Sequence, residues 1–313
     1  MLPKRLPIIH RSIVITLTVV YALAATACTV YKSSSPSETS NLRRVTDEAG
    51  RSLNVPAKID RVVSLAPNLT EIIYAVGAGE QLVGNTTFCD YPEAARTVPK
   101  VGDTLQPSIE RILSLKPQVV LVSTASQLEA FTRKLAEHGI VVYVTDPRDL
   151  EGVFRSLEHL GQLLNREEQS QQVVNQMRER ATSITEMVKL TTPVRVFYQL
   201  SAEPLYTAGR DAFVTDLIRR AGGISVTAEI PEAWPTFSQE SAVASRPEAI
   251  VLPTGGSMGS ANSDVAAGLK NSPAVLNGKV YRINGDFLSR PGPRAVDGLA
   301  ELARALHPEV FGK

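Results

Sequence analysis

Residues Ser108-Ile-Glu-Arg-Ile-Leu-Ser-Leu-Lys-Pro-Gln-Val-Val-Leu-Val122 return in outline as Ser238-Gln-Glu-Ser-Ala-Val-Ala-Ser-Arg-Pro-Glu-Ala-Ile-Val-Leu252. In each copy a Ser stands at a helix N-cap, a Glu follows two residues later, a basic residue precedes a Pro, and an apolar run comes next. The order predicts a capped short helix leading into a strand. The Ser hydroxyls can accept from free first-turn amides, and Pro117 and Pro247 end their helices because the residue before a proline is pushed out of the α region. Thr70-Glu71-Ile72-Ile73 before Gly77 likewise matches Thr215-Asp216-Leu217-Ile218 before Gly222, and Gly139 to Asp146 resembles Gly278 to Asp286. Two homologous lobes follow. Two copies exclude a solenoid, which needs short periods and several repeats.

Outward from these units, short Val/Ile runs alternate with amphipathic segments. Lobe one reads as strands at 61–65, 82–84, 119–122 and 141–144 with helices at 68–76, 108–115 and 127–138. Lobe two reads as strands at 195–200, 249–252 and 279–283 with helices at 213–221, 238–244 and 294–306. Alternation of this kind makes an α/β fold with mostly parallel sheets. Between the lobes, 149–190 has no Pro and only Gly152 and Gly161, and its apolar residues recur at helical spacing. It reads as one long α-helix joining the lobes, with Asn165 the place where it would bend.

The N-terminus says where the lobes live. Lys4, Arg5 and Arg11 precede an apolar run, Ile13 to Ala25, of the length of a secretory signal and short for a membrane span. It ends Leu23-Ala-Ala-Thr-Ala-Cys28, which resembles a bacterial lipoprotein signal, although Ala25 stands where such signals usually carry Leu. Lipidation of Cys28 is expected; the alternative is ordinary cleavage near Ala27. The expected organisation is therefore a signal peptide over 1–28, a disordered tether over 29–42, an N-terminal lobe over 43–148, the linking helix over 149–190 and a C-terminal lobe over 191–313. Lys and Arg number 33 against 32 Asp and Glu, and the leader holds three of the cations, so the exported part is slightly acidic and offers no field for nucleic acid. Cys89 is the one cysteine after Cys28, so no disulfide staples the fold and the cores must hold it. Cys89 reads as a buried small hydrophobe rather than a reactive thiol.

Two α/β lobes, a long connecting helix and a lipoprotein-like signal resemble the helical-backbone class of ABC-transporter substrate-binding proteins. Arg61-Val-Val-Ser-Leu-Ala-Pro-Asn-Leu-Thr-Glu71, Cys89-Asp-Tyr-Pro92, Lys100-Val-Gly102, Ala233-Trp-Pro235 and Arg290-Pro-Gly-Pro-Arg294 are similar to its cobalamin-binding branch, over roughly Asp60 to the C-terminus. Siderophore and haem binders share the framework. The resemblance implies two Rossmann-like lobes with the ligand in the cleft between them, no catalysis, no resident cofactor, and a monomer that delivers its ligand to an ABC permease dimer with its ATPase subunits.

It also implies site residues. Phe88 and Tyr91 in a lobe-one loop, and Tyr206 and Trp234 in lobe two, would lie on the ligand, the competing reading being ordinary core packing. Aromatic plates suit a broad apolar disc, each burying about 150–250 Å², so they should set affinity. Asp286, Phe287, Arg290 and Arg294 close the set, the charged ones fixing orientation. Thr104-Leu105 stands where the branch can carry a second Trp, a departure that leaves room for a different corrinoid, or for a siderophore whose carboxylates would want Arg210, Arg290 and Arg294. Glu110 and Glu240, one per lobe at matching places, would dock on Arg residues of the permease; the alternative is a carboxylate at a helix start, favoured by the helix dipole.

Enzyme and metal readings are weak. Gly255-Gly-Ser-Met-Gly259 fits a nucleophile pattern with Asp286 and His307 following, but the residues after Ser257 are poor helix formers where the elbow needs a helix. His138, His159 and His307 include no pair at metal-ligand spacing.

Overall fold

β3 (Val62–Ser64), β4 (Leu82–Asn85), β5 (Val119–Ser123) and β6 (Val141–Thr145) form the sheet of lobe one in a computed structural model that describes residues 42–123, 129–255 and 264–312. All four strands are parallel, in the order β4-β3-β5-β6. In lobe two, β7 (Val194–Ala202), β9 (Gly223–Ser225), β10 (Ala249–Thr254) and β11 (Val280–Asn284) run parallel in the order β9-β7-β10-β11. The second order is the first transposed strand for strand, which is what a duplicated unit requires. Lobe two adds β8 (Leu205–Thr207), antiparallel to β7; neither β8 nor β9 was read from the sequence.

The repeated words fold alike. Ser108 accepts from the Arg111 amide at 3.3 Å ahead of α2 (Ile109–Ser114), and Ser238 from the Ser241 amide at 3.0 Å ahead of α7 (Gln239–Ala244). Lys116 and Arg246, the residues before the two prolines, both have φ of 45°, so each helix stops through a left-handed residue where the next proline disfavours α geometry. The other helices are α1 (Pro67–Ala75), α3 (Glu129–Glu137), α4 (Leu150–Leu163), α5 (Glu167–Val188), α6 (Phe213–Arg220), α8 (Pro273–Leu276), α9 (Gly285–Ser289) and α10 (Ala295–Leu306).

The single linking helix is corrected to two. Asn165 has φ of 56°, a left-handed stop that asparagine tolerates better than most residues, and α4 ends before it. The break is held from lobe one: Arg43 donates to Leu163 O at 2.6 Å, and Arg166 donates to Gly77 O at 3.1 Å. Gly161 is required where the helices meet, since a Cβ there would overlap the side chain of Ser170. α5, 22 residues and about 33 Å long, packs on α10 of lobe two and touches α1 of lobe one.

The lobes share one core. A cluster of buried side chains runs from Leu69, Ile72 and Ile73 through Leu157, Leu160, Val174 and Met177 to Leu217, Leu299 and Leu302. Smaller clusters, around Val63, Ile112 and Val120 and around Phe197, Ile250 and Leu252, line the other faces of the two sheets.

A hairpin of β1 (Leu42–Thr46) and β2 (Ser52–Pro56) precedes lobe one, so the tether expected to reach residue 42 ends before it. Its turn docks where β6 gives way to α4: Glu48 accepts from the Asp146 amide at 2.7 Å and from Ser156 at 2.9 Å, and faces His159 at 3.4 Å. The leader with Cys28, Gln127 at the start of one expected helix, and Ser257 lie outside the described residues. Among the described residues no helix is long and apolar enough to cross a membrane.

Candidate functional site at the meeting of the lobes

Glu71 sits mid-helix in α1, among Leu69, Ile72 and Ile73, with its side chain 2% exposed. A carboxylate so placed needs charged partners, and lobe two supplies them. Arg294 donates from Nε at 2.9 Å and from Nη2 at 2.6 Å, a bidentate clasp. Arg290, 5% exposed, adds Nη1, which donates to Glu71 at 3.2 Å and to Asp90 Oδ1 at 2.9 Å; its Nη2 donates to the Phe88 carbonyl at 3.4 Å, and it forms an ion pair with Asp286 Oδ1 at 3.0 Å. Asp286 also stands 3.7 Å from Arg294.

Local structure brings these groups together. Asn284 caps α9 by accepting from the Asp286 amide at 2.9 Å, and one turn later Arg290 ends that helix. Arg294 then precedes α10, which approaches so closely that a Cβ on Gly298 would meet Phe287 O at 2.6 Å. On the lobe-one side Asn68 donates to Pro291 O at 3.3 Å, seating this segment on the start of α1.

The aromatic residues divide into two groups. Tyr91 and Phe287 both face the Arg294 guanidinium, whose carbon lies 4.2 Å from the first ring centroid and 5.2 Å from the second, a cation–π geometry built from both lobes. Tyr91 is 48% and Phe88 43% exposed, which excludes core packing for either. Their loop is nevertheless fixed from beneath. Lys100 donates to Asn85 Oδ1 at 2.8 Å, Ala95 O at 3.0 Å and Cys89 O at 3.1 Å, while Cys89 is buried 3.1 Å from Thr70 Oγ1. Burial lowers the Lys100 pKa, and the charge of Asp90 opposes that shift. For Asp90 burial pushes upward, but the hydrogen bond and charge of Arg290 outweigh it and hold the carboxyl below its ordinary value.

Trp234 and Tyr206 form the second group, in paired segments of lobe two. Thr236 bridges Tyr206, and Gly209 donates to Ala233 O at 3.0 Å; a Cβ on Gly209 would collide with Glu232 O, so only glycine fits. Trp234 is partly buried, its ring 6.1 Å from that of Tyr198.

Glu110 and Glu240 are both exposed, each at the second position of its helix. A depression of about 490 Å³ lies elsewhere, between α5 and α10, floored by Ile184, Met187, Ala300 and Phe311. The hydrolase arrangement finds no support: Asp286 is held by arginines, while His307 is buried against Gly222 O and Thr191. Among the described residues no cluster of His, Cys, Asp and Glu could hold a metal ion.

Glu71 was not among the residues singled out from the sequence. Its signal was there: an acid in the apolar word Leu69-Thr-Glu-Ile-Ile73, where a buried charge has to be answered.

Residues 62–286 match the periplasmic binding protein family. The chain belongs to that family. It is 30% identical over 274 residues to an uncharacterized ABC transporter substrate-binding lipoprotein, YvrC, of Bacillus subtilis, covering 85% of this chain and 86% of that one. It is 31% identical to the vitamin B12-binding protein of Vibrio parahaemolyticus over 78% of this chain and 88% of the relative. Among solved structures, the periplasmic vitamin B12-binding protein BtuF of Vibrio cholerae superposes with a TM-score of 0.72 at 27% identity, covering 82% of this chain and all of that one. A periplasmic heme-binding protein of Pseudomonas aeruginosa superposes at 0.71 and 25% identity, over 80% and 94% of the two chains. The family and the paired α/β lobes read from the sequence are thus established.

Proposed function

We propose that this binding protein captures cobalamin or a related corrinoid between its lobes and hands it to the permease of an ABC importer. The observation that carries the reading is the pair of exposed aromatics, Phe88 and Tyr91, on a pinned loop that meets Arg290 and Arg294 of the opposite lobe. A corrin is a broad apolar disc edged with amides. Exposed rings on a rigid frame, with a few polar groups, are its complement, and the B12-binding relatives support the choice. Each of these rings is a little under half exposed, so a ligand can cover about half of the roughly 150–250 Å² of such a side chain, contributing roughly 2–3 kcal/mol gross at about 25 cal/mol per Å², against about 1 kcal/mol for a neutral hydrogen bond. Tyr206 and Trp234 complete the aromatic lining in this reading, and catalysis has no part in it. The protein would work as an exported monomer, held by a lipid on Cys28 in the periplasm or at the outer face of the cell membrane, with Glu110 and Glu240 gripping the two halves of the permease.

A second reading, haem or a ferric siderophore, is favoured by the heme-binding structure of similar fold. Titration of cobalamin, cobinamide, haem and ferric siderophores against the fluorescence of Trp234, the one tryptophan, separates the two. Corrinoids should quench, and Trp234→Ala should weaken them by about 2 kcal/mol or more, the range of an interface hot spot. Tight siderophore or haem binding without corrinoid binding would overturn the corrinoid reading and leave the family standing.

A further inference from the structure

We infer that Glu71 is a specificity-determining residue: by holding both Arg290 and Arg294 it withholds the two guanidinium groups of the site, and so selects uncharged, amide-edged ligands over carboxylate-bearing ones of similar shape. The inference deepens the corrinoid reading but needs only the interlobe site to be where ligand binds.

The charges around the site carry it. Glu71, Asp90 and Asp286 face Arg290 and Arg294, and Lys100 lies within electrostatic reach of Asp90. Three carboxylates thus answer three cations, leaving no unbalanced positive charge for an anionic ligand. Nor can the arginines readily change partners. Arg290 is almost wholly buried and already engages three carboxylates and a backbone carbonyl, while Arg294 lies over two rings. A ligand carboxylate that took Arg294 would strip Glu71 of its bidentate partner and leave it only the 3.2 Å contact with Arg290 Nη1 in an apolar surround, and breaking a buried pair from one side is strongly unfavourable. An amide edge makes no such demand: it can meet the outer oxygen of Asp90, whose side chain is 49% exposed, as donor or the Tyr91 hydroxyl as acceptor.

The test compares purified wild-type protein with Glu71→Gln and Asp90→Asn by equilibrium dialysis, read from the visible absorbance of the ligand. The probes are cobinamide, whose corrin carries amides, and cobyrinic acid, the same ring carrying carboxylates. Wild type should prefer cobinamide. Glu71→Gln, which keeps the shape and removes the charge, should raise the affinity for cobyrinic acid relative to cobinamide by about tenfold, or 1.4 kcal/mol. Asp90→Asn, at a half-exposed position that holds Arg290 alone, should shift the ratio in the same direction by less. A folded Glu71→Gln with an unchanged ratio overturns the inference; should that variant fail to fold, an unchanged ratio in Asp90→Asn does so. If neither corrin binds and haem does, the corrinoid reading has failed. Selectivity is then read from haem against its dimethyl ester, with the same rise expected and an unchanged ratio again overturning the inference.

Discussion

Replacing Asp216 by Ala should destabilise the protein by about 3 kcal/mol, most of it from one backbone amide that loses its partner. Asp216 occupies in lobe two the place that Glu71 holds in lobe one, and it too binds across an element boundary. Its Oδ2 accepts from the Leu150 amide at 3.0 Å and from Arg220 Nε at 2.8 Å, and its Oδ1 is met by Arg219. Leu150 is fully buried and opens α4, so without the acid its N–H stays desolvated and unpaired, costing about 1–3 kcal/mol. Arg220 keeps only a longer contact with Glu151 at 3.5 Å and contributes most of the remainder, whereas exposed Arg219 adds under about 1 kcal/mol. At about 2–4 °C per kcal/mol for a body of this size, Tm should fall by roughly 6–12 °C. The penalty should also depend on pH with a definite sign. Burial raises the Asp216 pKa, but the Leu150 amide and the Arg220 and Arg219 guanidiniums outweigh it, so the folded value lies below the unfolded one of about 3.9. The acid therefore stabilises the fold above about pH 4, and that contribution fades as pH falls through the folded value. Urea unfolding of wild type, Asp216→Ala and Arg219→Ala at pH 7 and again near pH 3 is the assay. A loss at pH 7 no larger than that of Arg219→Ala, or one that grows on acidification, would refute the reasoning.

Other expectations rest on separate features. The His159 pKa is raised, first by its hydrogen bond to Glu48 and against the pull of burial, so its stabilisation is complete below the ordinary value near 6.5 and is lost as pH rises through the folded value; the Tm gap between wild type and His159→Gln should be wider at pH 5.5 than at 8.5, and an equal gap would exclude the pairing. Glu110→Ala with Glu240→Ala should leave ligand affinity intact and strongly reduce uptake through the cognate importer, since desolvated interfacial ion pairs couple by roughly 1.5–7 kcal/mol; normal transport by the double variant would leave the two acids as helix-start charges only. Because the lobes share a buried core and the Glu71 cluster, X-ray scattering of free and ligand-loaded protein should nearly superimpose, and a marked compaction on loading would contradict that rigidity.

How much of this was legible in the sequence depended on whether a feature was written twice. The duplicated words around Pro117 and Pro247 carried helix caps, helix stops and strand order into both lobes, and the structure repeats them down to the same φ. The break at Asn165 was written once, as a single residue inside helical periodicity, and periodicity averages over several residues. The β1–β2 hairpin was missed although Leu42, Arg43, Arg44, Val45 and Leu53, Asn54, Val55 show partial alternation about an Asp47-to-Gly50 turn, because two short strands outside the main sheets leave little apolar signal. For the site, Asp286, Arg290 and Arg294 were singled out through the family resemblance of their words, but the partner that gathers the arginines was not. Ion pairing between residues more than two hundred positions apart leaves no local pattern, and Glu71 was visible only as a charge inside an apolar helix.

The hairpin also decides how the molecule would take mechanical load. A pull on the residues before Leu42 enters at the pair Leu42↔Pro56, the open end of the ladder, so the strands unzip pair by pair rather than shearing together. Two-stranded hairpins are marginal on their own, so the first pairs yield at low force. The next to go is the grip of Arg43 on the end of α4, and only afterwards does tension reach the turn, where Arg51 is bound to Asp47 at 2.6 Å and to Val142 O at 2.8 Å and Glu48 is tied to the end of β6. β1 and β2 thus act as a sacrificial spring in series with lobe one: once the Arg43 clasp on the end of α4 has let go, they lengthen before strain reaches the turn and the sheet behind it.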